Sequence, residues 1–244
     1  IAFMKLKNTT QFSILIYFLT IPFYSLAQDS SASKWSLGIN ASIDYNYRML
    51  FVNIPNYGVN DVIFLRDGIE IPLLGISAGV NTKYQVTPKI DINVGTHYAQ
   101  KGYQTNKRSV STLQPSPSDP IAVKSTYNYT YVDFPFTVRY RIGMNKTLFS
   151  VGGGVACNLL IKSSENNEIY YNGYTNKRTR EVTSMFNKSN ASGILFLGVS
   201  HQLSEEFTIF IEPTLRYQLL KNINTPVTER LYNIGLNIST FYRL

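Results

Sequence analysis

Residues 35–48 read Trp-Ser-Leu-Gly-Ile-Asn-Ala-Ser-Ile-Asp-Tyr-Asn-Tyr-Arg, and this stretch decides the fold. From Trp35 to Tyr47 every second side chain is apolar or aromatic, and the residues between them are polar or glycine. A period of two indicates a β-strand with two chemically different faces. The run is much longer than the roughly 5–6 residues that are usual for strands in soluble proteins.

The same alternation recurs along the rest of the chain and predicts six further strands, and an apolar run predicts a seventh. They cover residues 74–86, 90–101, 128–142, 147–161, 191–202, 207–219 and 231–244. The 191–202 segment is apolar on both faces, so the direction of its side chains stays open. Short links at 87–89, 143–146 and 203–206 alternate with long links at 49–71, 102–126, 162–190 and 221–230. Short turns at one rim and long loops at the other are typical of an outer-membrane β-barrel.

The composition excludes two other classes of protein. A chain with 44% hydrophobic, 14% aromatic and 16% charged residues is not disordered. The absence of any apolar run of about 18 residues excludes a bundle of membrane-spanning helices. Two alternatives remain, a soluble barrel with its apolar face inward and a membrane barrel with its charged face inward.

The spacing of aromatic residues favours the membrane barrel. Trp35 and Tyr45 lie ten residues apart on one face, and the interval recurs between Phe207 and Tyr217. In a tilted strand ten residues span roughly 24 Å, the height of the apolar band of a transmembrane barrel. We therefore predict two aromatic girdles. One contains Trp35, Tyr84, Tyr140, Phe149, Phe207 and Tyr242, and the other contains Tyr45, Tyr98, Tyr217 and Tyr232.

The predicted fold is all-β, a transmembrane antiparallel up-and-down β-barrel of eight strands. An extra hairpin within 162–190 would raise the number of strands to ten. Residues 1–27 are predicted to be a signal peptide, because a positive start is followed by an apolar run over 12–23 and by small residues at Ser25 and Ala27. Met4 is the expected start, with residues 1–3 upstream of it. The barrel domain is expected to cover 28–244, and its single cysteine excludes an internal disulfide.

The polar face of the strands carries charges that a membrane barrel would direct into its lumen. An eight-stranded barrel is just wide enough for side chains to fill it. Unpaired charges would be costly there, so we predict a structural network with pairs across the strands. Its predicted members are Asp133, Arg139, Arg141, Glu212 and Arg216.

Several motifs in the sequence resemble the PorT-like, or outer-membrane β-barrel domain, family of small Bacteroidota outer-membrane proteins. The resemblance rests on four motifs: Tyr131-Val132-Asp133-Phe134-Pro135-Phe136, the Gly152-Gly153-Gly154 run, Ile211-Glu212-Pro213, and the final strand from Gly235 to Leu244. The resemblance covers roughly 34–244 and implies the architecture. The family takes its name from a secretion component, but fold-level similarity does not transfer that role.

The predicted function is a structural or interaction role in the Gram-negative outer membrane, such as envelope integrity, adhesion or membership of a surface or secretion complex. The alternatives are a narrow pore and a lipid-modifying enzyme, since His97 is expected near the outer end of its strand. We predict no catalytic, cofactor or metal site. Expected partners are outer-membrane lipids, lipopolysaccharide, the insertion machinery, and a protein bound through the extracellular loops 49–71, 102–126 and 162–190. No nucleic acid is expected.

Overall fold

The computed structural model describes residues 33–55, 57–111, 116, 118–143 and 146–244, and residues Lys34–Leu244 form one compact unit. The predicted signal peptide at 1–27 lies outside the described residues. These residues contain one α-helix, α1 (Val59–Ile69), between the first two of ten strands. These are β1 (Trp35–Val52), β2 (Glu70–Thr87), β3 (Ile90–Thr105), β4 (Arg108–Ser109), β5 (Ala122–Ile142), β6 (Thr147–Tyr170), β7 (Thr175–Glu181), β8 (Ser189–Gln202), β9 (Phe207–Gln218) and β10 (Val227–Arg243).

Eight of the strands close into an antiparallel ring. The order around the ring is β1, β2, β3, β5, β6, β8, β9 and β10, and β10 pairs with β1. Strands β4 and β7 are outside this ring, each paired to one side of a long neighbour. The ring of eight is therefore confirmed. The hairpin considered within 162–190 is also present, but it extends the sheet without widening the barrel.

The ring has its polar face inside and its apolar face outside. Along β1, Ile43 is 65% exposed while the adjacent Asp44 is 1% exposed, and the other ring strands show the same contrast. Burying charge and exposing aliphatic side chains is favourable only when the surroundings are hydrocarbon. The transmembrane arrangement, which alternation alone left open, follows from this inversion.

The strands extend further at the long-loop rim than the sequence indicated. Strand β5 begins at Ala122 instead of 128, and β6 continues to Tyr170 instead of ending at 161. The segments predicted as loops 102–126 and 162–190 are thus partly strand. Polar residues lie on both faces of these extensions, as at Lys124 and Ser125 of β5 and at Ser164 and Glu165 of β6. The two faces therefore show no contrast of period two.

The 49–71 link also differs from its prediction as a loop. Strand β1 runs on to Val52, and helix α1 follows at Val59. Within the described residues, no helix has the length and apolarity needed to cross a membrane.

The exposure of its side chains shows which residues of β8 point into the lumen. Ile194 and Phe196 point inward and are 6% and 7% exposed, while Leu195 on the outer face is 64% exposed. A side chain at Gly152 would overlap the ring of Phe196. Glycine at this position of β6 therefore gives Phe196 its space in the lumen.

Candidate functional site

The inner end of the lumen, near the short turns, combines aromatic rings with cations. Phe210 and Phe241 are 1% and 2% exposed and pack edge to face, with ring centroids 5.4 Å apart. The Lys83 ammonium lies 5.0 Å and 4.8 Å from the centroids of these two rings, and the Arg139 guanidinium lies 4.1 Å from that of Phe210. Cations over aromatic faces are stabilised by the ring quadrupole.

A belt of hydrogen bonds crosses the middle of the lumen. Arg139 donates from Nε and Nη2 to Glu212 Oε1, at 3.0 and 2.7 Å. Asn237 donates to the other oxygen of Glu212 at 3.3 Å. The belt continues through Asn40 and Asn81 and ends at His97, whose Nε2 is 2.8 Å from Asn81 Oδ1. Six strands are joined in this way through side chains alone.

Three further ion pairs connect inward-facing residues of the barrel. Arg141 bonds Asp91 at 3.1 Å near the inner rim. Arg216 bonds Asp44 at 2.9 Å, and Lys101 bonds Asp133 at 2.7 Å, both further toward the long loops. Asp133 also accepts a 2.6 Å hydrogen bond from Asn158.

All five residues of the predicted lumen network point inward and contact an opposite charge. Only Arg139 and Glu212 contact each other. The partners of the other three are Asp91, Asp44 and Lys101. The sequence predicts that charges on the polar face point inward, but it does not show which distant strands are neighbours. Lys101 was missed because it lies at the end of the predicted strand.

Tyrosine side chains fill the outer half of the lumen. A buried cluster of Ala99, Tyr103, Tyr129, Tyr131, Leu160 and Leu231 lies inside the ring. Tyr103 and Tyr129 each donate a 2.8 Å hydrogen bond to the Glu229 carboxylate, and Tyr131 donates to Asn222 at 3.3 Å, so each of the three hydroxyls has a partner beside the cluster. The sequence assigned these tyrosines to strand faces and loops and gave no signal that they meet.

Helix α1 is attached to the barrel mouth through Arg66 and through Asp67, which bonds Arg48 of β1. The Arg66 contacts are the more extensive. The Arg66 guanidinium bonds Glu70 Oε1 at 2.7 Å and Glu229 Oε2 at 3.1 Å. Burial disfavours the charged guanidinium, but Tyr103, Glu70 and Glu229 outweigh it and raise the pKa of Arg66 above its ordinary value. Glu70 is shared with Arg48 of β1 at 2.6 Å. The helix thus turns its charged side to the barrel and leaves Phe64 79% exposed.

Strands β4 and β7, together with the ends of β5 and β6 at the long-loop rim, form a sheet beyond the barrel mouth. In the β6–β7 turn the rings of Tyr171 and Tyr174 are stacked, 4.7 Å apart with 8° between their planes. Lys177 bonds Glu168 at 2.9 Å, and this hydrogen bond, with one from the Tyr170 hydroxyl, lowers the pKa of Glu168 from its ordinary value. The extension also carries cations for which the structure shows no carboxylate within 4.0 Å among the described side chains. They are Lys107, Arg108, Lys124, Arg178 and Arg180.

His97 lies halfway along β3 inside the lumen, and not near the outer end as predicted. The error has a simple cause, since β3 continues to Thr105 and the predicted strand ended at 101. A side chain at Gly79 or Gly95 would overlap His97, so two glycines make its pocket. No group of three or more candidate metal ligands occurs among the residues that the structure describes.

The predicted girdle residues lie on the outer surface at two levels. Near the short turns, Trp35 packs on Tyr84 with centroids 4.7 Å apart, and Phe207 packs on Tyr242 at 5.1 Å. Tyr140 and Phe149 are 45% and 64% exposed on the same surface. At the other level, Tyr232 lies directly opposite Tyr217, while Tyr45 and Tyr98 are 53% and 48% exposed. Their contact with the two membrane interfaces stays a prediction.

Comparison with solved structures finds bacterial outer-membrane barrels with low sequence identity. Neisserial surface protein A has a TM-score of 0.43 and 10% identity, covering 88% of this chain and 100% of that chain. Ail of Yersinia pestis has a TM-score of 0.37 and 10% identity, covering 85% and 99%. The protease OmpT of Escherichia coli has a TM-score of 0.45 and 9% identity, covering 90% and 99%. Similarity at this level transfers no function.

Comparison with curated proteins finds no match. Residues 26–219, by contrast, match a protein family described as the outer membrane protein beta-barrel domain. The match extends from before β1 to the end of β9, well over half of the chain. The chain therefore belongs to the outer-membrane β-barrel domain family and is a protein of the bacterial outer membrane.

Proposed function

We propose that this protein is a closed, non-conducting outer-membrane barrel with a structural or interaction role. The observation that carries the proposal is the filled lumen. Phenylalanines and cations occupy its inner end, the Arg139–Glu212 belt crosses its middle, and the tyrosine cluster fills its outer half. A barrel of eight strands has no width left for an ion path once its interior is filled in this way.

The interaction role would belong to the long-loop rim, which we propose to be extracellular. The support is the β4–β7 sheet, with its stacked tyrosines and its excess of cations, and the exposed apolar side of α1. Aromatic residues beside arginine are enriched at recognition surfaces. Its partners would be lipopolysaccharide phosphates and a protein contacted through 49–71, 102–126 and 162–190. Envelope integrity, adhesion and membership of a surface or secretion complex all fit this surface.

We propose further that the chain is a PorT-like protein of Bacteroidota, exported by the signal peptide at 1–27. The support is the Tyr131–Phe136 motif and the Gly152–Gly154 run. In the fold, Asp133 of that motif points into the lumen and bonds Lys101, and Gly152 accommodates Phe196. A non-enzymatic role is proposed because His97 is held by Asn81 inside the lumen, away from the rim where lipid would be reached.

Planar bilayer recording tests the closed lumen. The purified wild-type barrel is expected to show no single-channel conductance above that of the bare bilayer. The triple variant Tyr129→Ala, Arg139→Ala, Phe210→Ala removes one large buried side chain from each of the three layers and is expected to raise conductance. Steady conductance by the wild-type protein at a level equal to that of the triple variant would refute the closed barrel.

Trypsin treatment of intact cells tests the orientation. Lys177, Arg178 and Arg180 lie on β7, beyond the barrel mouth, and are exposed. Cleavage at these sites in intact cells is expected if the long loops are extracellular. Protection in intact cells, with cleavage only after the outer membrane is permeabilised, would show the opposite orientation.

A further inference from the structure

Two cations lie on the outer surface of the barrel at the long-loop rim, next to an aromatic girdle residue. Arg230 is two residues beyond Tyr232 of the girdle, on the same face of β10. Lys221 follows β9, where the N–H of Asn222 donates to the carbonyl of Glu229 at 2.9 Å. The side chains of Asn222 and Glu229 are 1% and 3% exposed and point inward. Lys221 and Arg230 flank this bonded pair, so they lie side by side and point outward.

Neither of these cations has a counter-charge. Among the described residues, no carboxylate lies within 4.0 Å of either side chain. The adjacent Glu229 points into the barrel and bonds Arg66. The Lys221 ammonium donates to the amide oxygens of Asn53 and Asn224, both at 3.0 Å. These acceptors are neutral, and an ammonium has three N–H donors, so Lys221 keeps its charge and one donor for a ligand.

The Arg230 guanidinium is held against an aromatic ring and keeps its donors. Its Cζ lies 5.0 Å from the ring centroid of Phe51 on β1. Its Nε is enclosed without a hydrogen-bond partner among the described groups, whereas its two terminal nitrogens are not enclosed. Phe51 and Asn53, which contact the two cations, are two residues apart, or about 7 Å in an extended chain. The two cations therefore border one patch of the surface.

The height of Arg230 on the barrel matches the layer of lipid headgroups. Two residues of a tilted strand rise about 5 Å, so Arg230 lies about 5 Å beyond Tyr232. Each headgroup layer of a bilayer is roughly 5–8 Å thick. On the other side of Tyr232, the outward-facing Ile234 is 57% exposed and belongs to the apolar band. Where the girdle marks the edge of the hydrocarbon, the Arg230 guanidinium is therefore among the headgroups.

We propose that Arg230, with Lys221 as a second donor, binds the phosphate group of an outer-leaflet glycolipid. The site rests on the proposed extracellular position of the long-loop rim, and it names the residues that would contact lipopolysaccharide there. A guanidinium suits this ligand because it can donate two parallel N–H bonds to one phosphate. Met49 lies directly opposite Arg230 on β1 and is 46% exposed, so it gives the same lipid an apolar contact.

Native mass spectrometry of the full barrel in detergent micelles tests the site. The probe is monophosphoryl lipid A, and the reference is the same lipid without its phosphate. We expect the wild type to bind the phosphorylated lipid about tenfold more tightly, the scale of one charge-assisted contact. Arg230→Gln is expected to lose this preference. The matched control is Lys162→Gln, which removes an exposed cation from the outer face of β6 and is expected to keep the preference.

Equal affinity of the wild type for the two lipids, or equal losses in Arg230→Gln and Lys162→Gln, would overturn the proposal. Displacement of the lipid by excess inorganic phosphate would assign the site to free phosphate and would overturn it too. If Arg230→Gln does not fold, Lys221→Gln replaces it and the same comparison decides. Micelles expose both rims, so a failure here leaves the closed lumen and the orientation untouched. Protection of the long loops from trypsin in intact cells would instead overturn the outer-leaflet ligand, whatever the affinity.

Discussion

At the scale of single residues, the lumen depends on glycines that face charged side chains. A side chain at Gly235 on β10 would overlap Oδ1 of Asp44, which Arg216 also contacts. We expect Gly235→Ala to destabilise the barrel by roughly 1–3 kcal/mol, the usual cost of overpacking. The measurement is the urea midpoint of unfolding in vesicles.

The matched control for this substitution is Gly193→Ala on the outer face of β8. There the nearest atom to a new side chain is Leu219 Cδ2, at 4.0 Å. The control is expected to unfold at the same urea concentration as the wild type, or slightly higher. Equal urea midpoints for the two variants would show that a methyl group at position 235 can be accommodated beside Asp44 without loss of stability.

A second residue-scale prediction concerns the exposed carboxyl of Glu168. Hydrogen bonds from Lys177 and Tyr170 lower its pKa below the ordinary 4.5. The pair therefore stabilises the hairpin fully above pH 4.5, and the contribution fades as the pH falls through the lowered pKa. Because the group is exposed, the contribution to stability is small. Lys177→Met is expected to raise the pKa toward 4.5, as measured by carboxyl carbon NMR, while Lys162→Met leaves it unchanged.

At the scale of elements, helix α1 is unusual because it packs through its charges. Arg66 holds it to Glu70 and Glu229, and the apolar Val62, Phe64 and Leu65 stay exposed. In an amphipathic helix the apolar face normally packs against the protein and the charged face meets water. This is a physical reason why the sequence did not reveal the helix and why 49–71 was predicted to be a loop.

We expect Arg66→Met to loosen α1, which keeps the ion pair between Asp67 and Arg48, while leaving the ring folded. Proteinase K should cleave within 59–69 roughly tenfold faster, which corresponds to a loss of about 1.4 kcal/mol in the free energy of local opening. The control is Asp61→Asn, in the exposed first turn of the same helix. Cleavage of the Arg66 variant at the wild-type rate would mean that other contacts hold the helix.

At the scale of the whole molecule, the barrel and its extension follow different physical rules. Within the membrane band one face meets hydrocarbon and the other the lumen, so alternation predicted seven of the ring strands, and an apolar run at 191–202 predicted the eighth. Beyond it both faces meet water, and the same rule did not predict β7 or the extensions of β5 and β6. The lumen pairs were only partly predictable, because alternation shows which residues point inward but not the register that brings Arg139 to Glu212.

The ring closes without β7, so the extension is expected to be dispensable for folding. Asn166 of β6 and Thr179 of β7 are directly paired. Joining them by Asn-Gly, a two-residue turn that suits a hairpin, removes 167–178 and keeps the shorter pairing. This variant is expected to reach the outer membrane and to retain heat-modifiable gel mobility. Loss of the folded form would show that the extension is needed for assembly.

The pairing of β1 with β10 determines when the barrel can form. Their pairing runs from Ser36 opposite Arg243 to Val52 opposite Val227. Strand β1, the first of the ring in the chain, therefore cannot complete its backbone hydrogen bonds until β10 has been synthesised. Until then both strands have an open edge, and each unpaired backbone group would cost several kcal/mol in hydrocarbon. Strand-by-strand entry into lipid is therefore unfavourable. The chain must be kept soluble in transit and inserted as a nearly complete ring, which makes its biogenesis a single cooperative event.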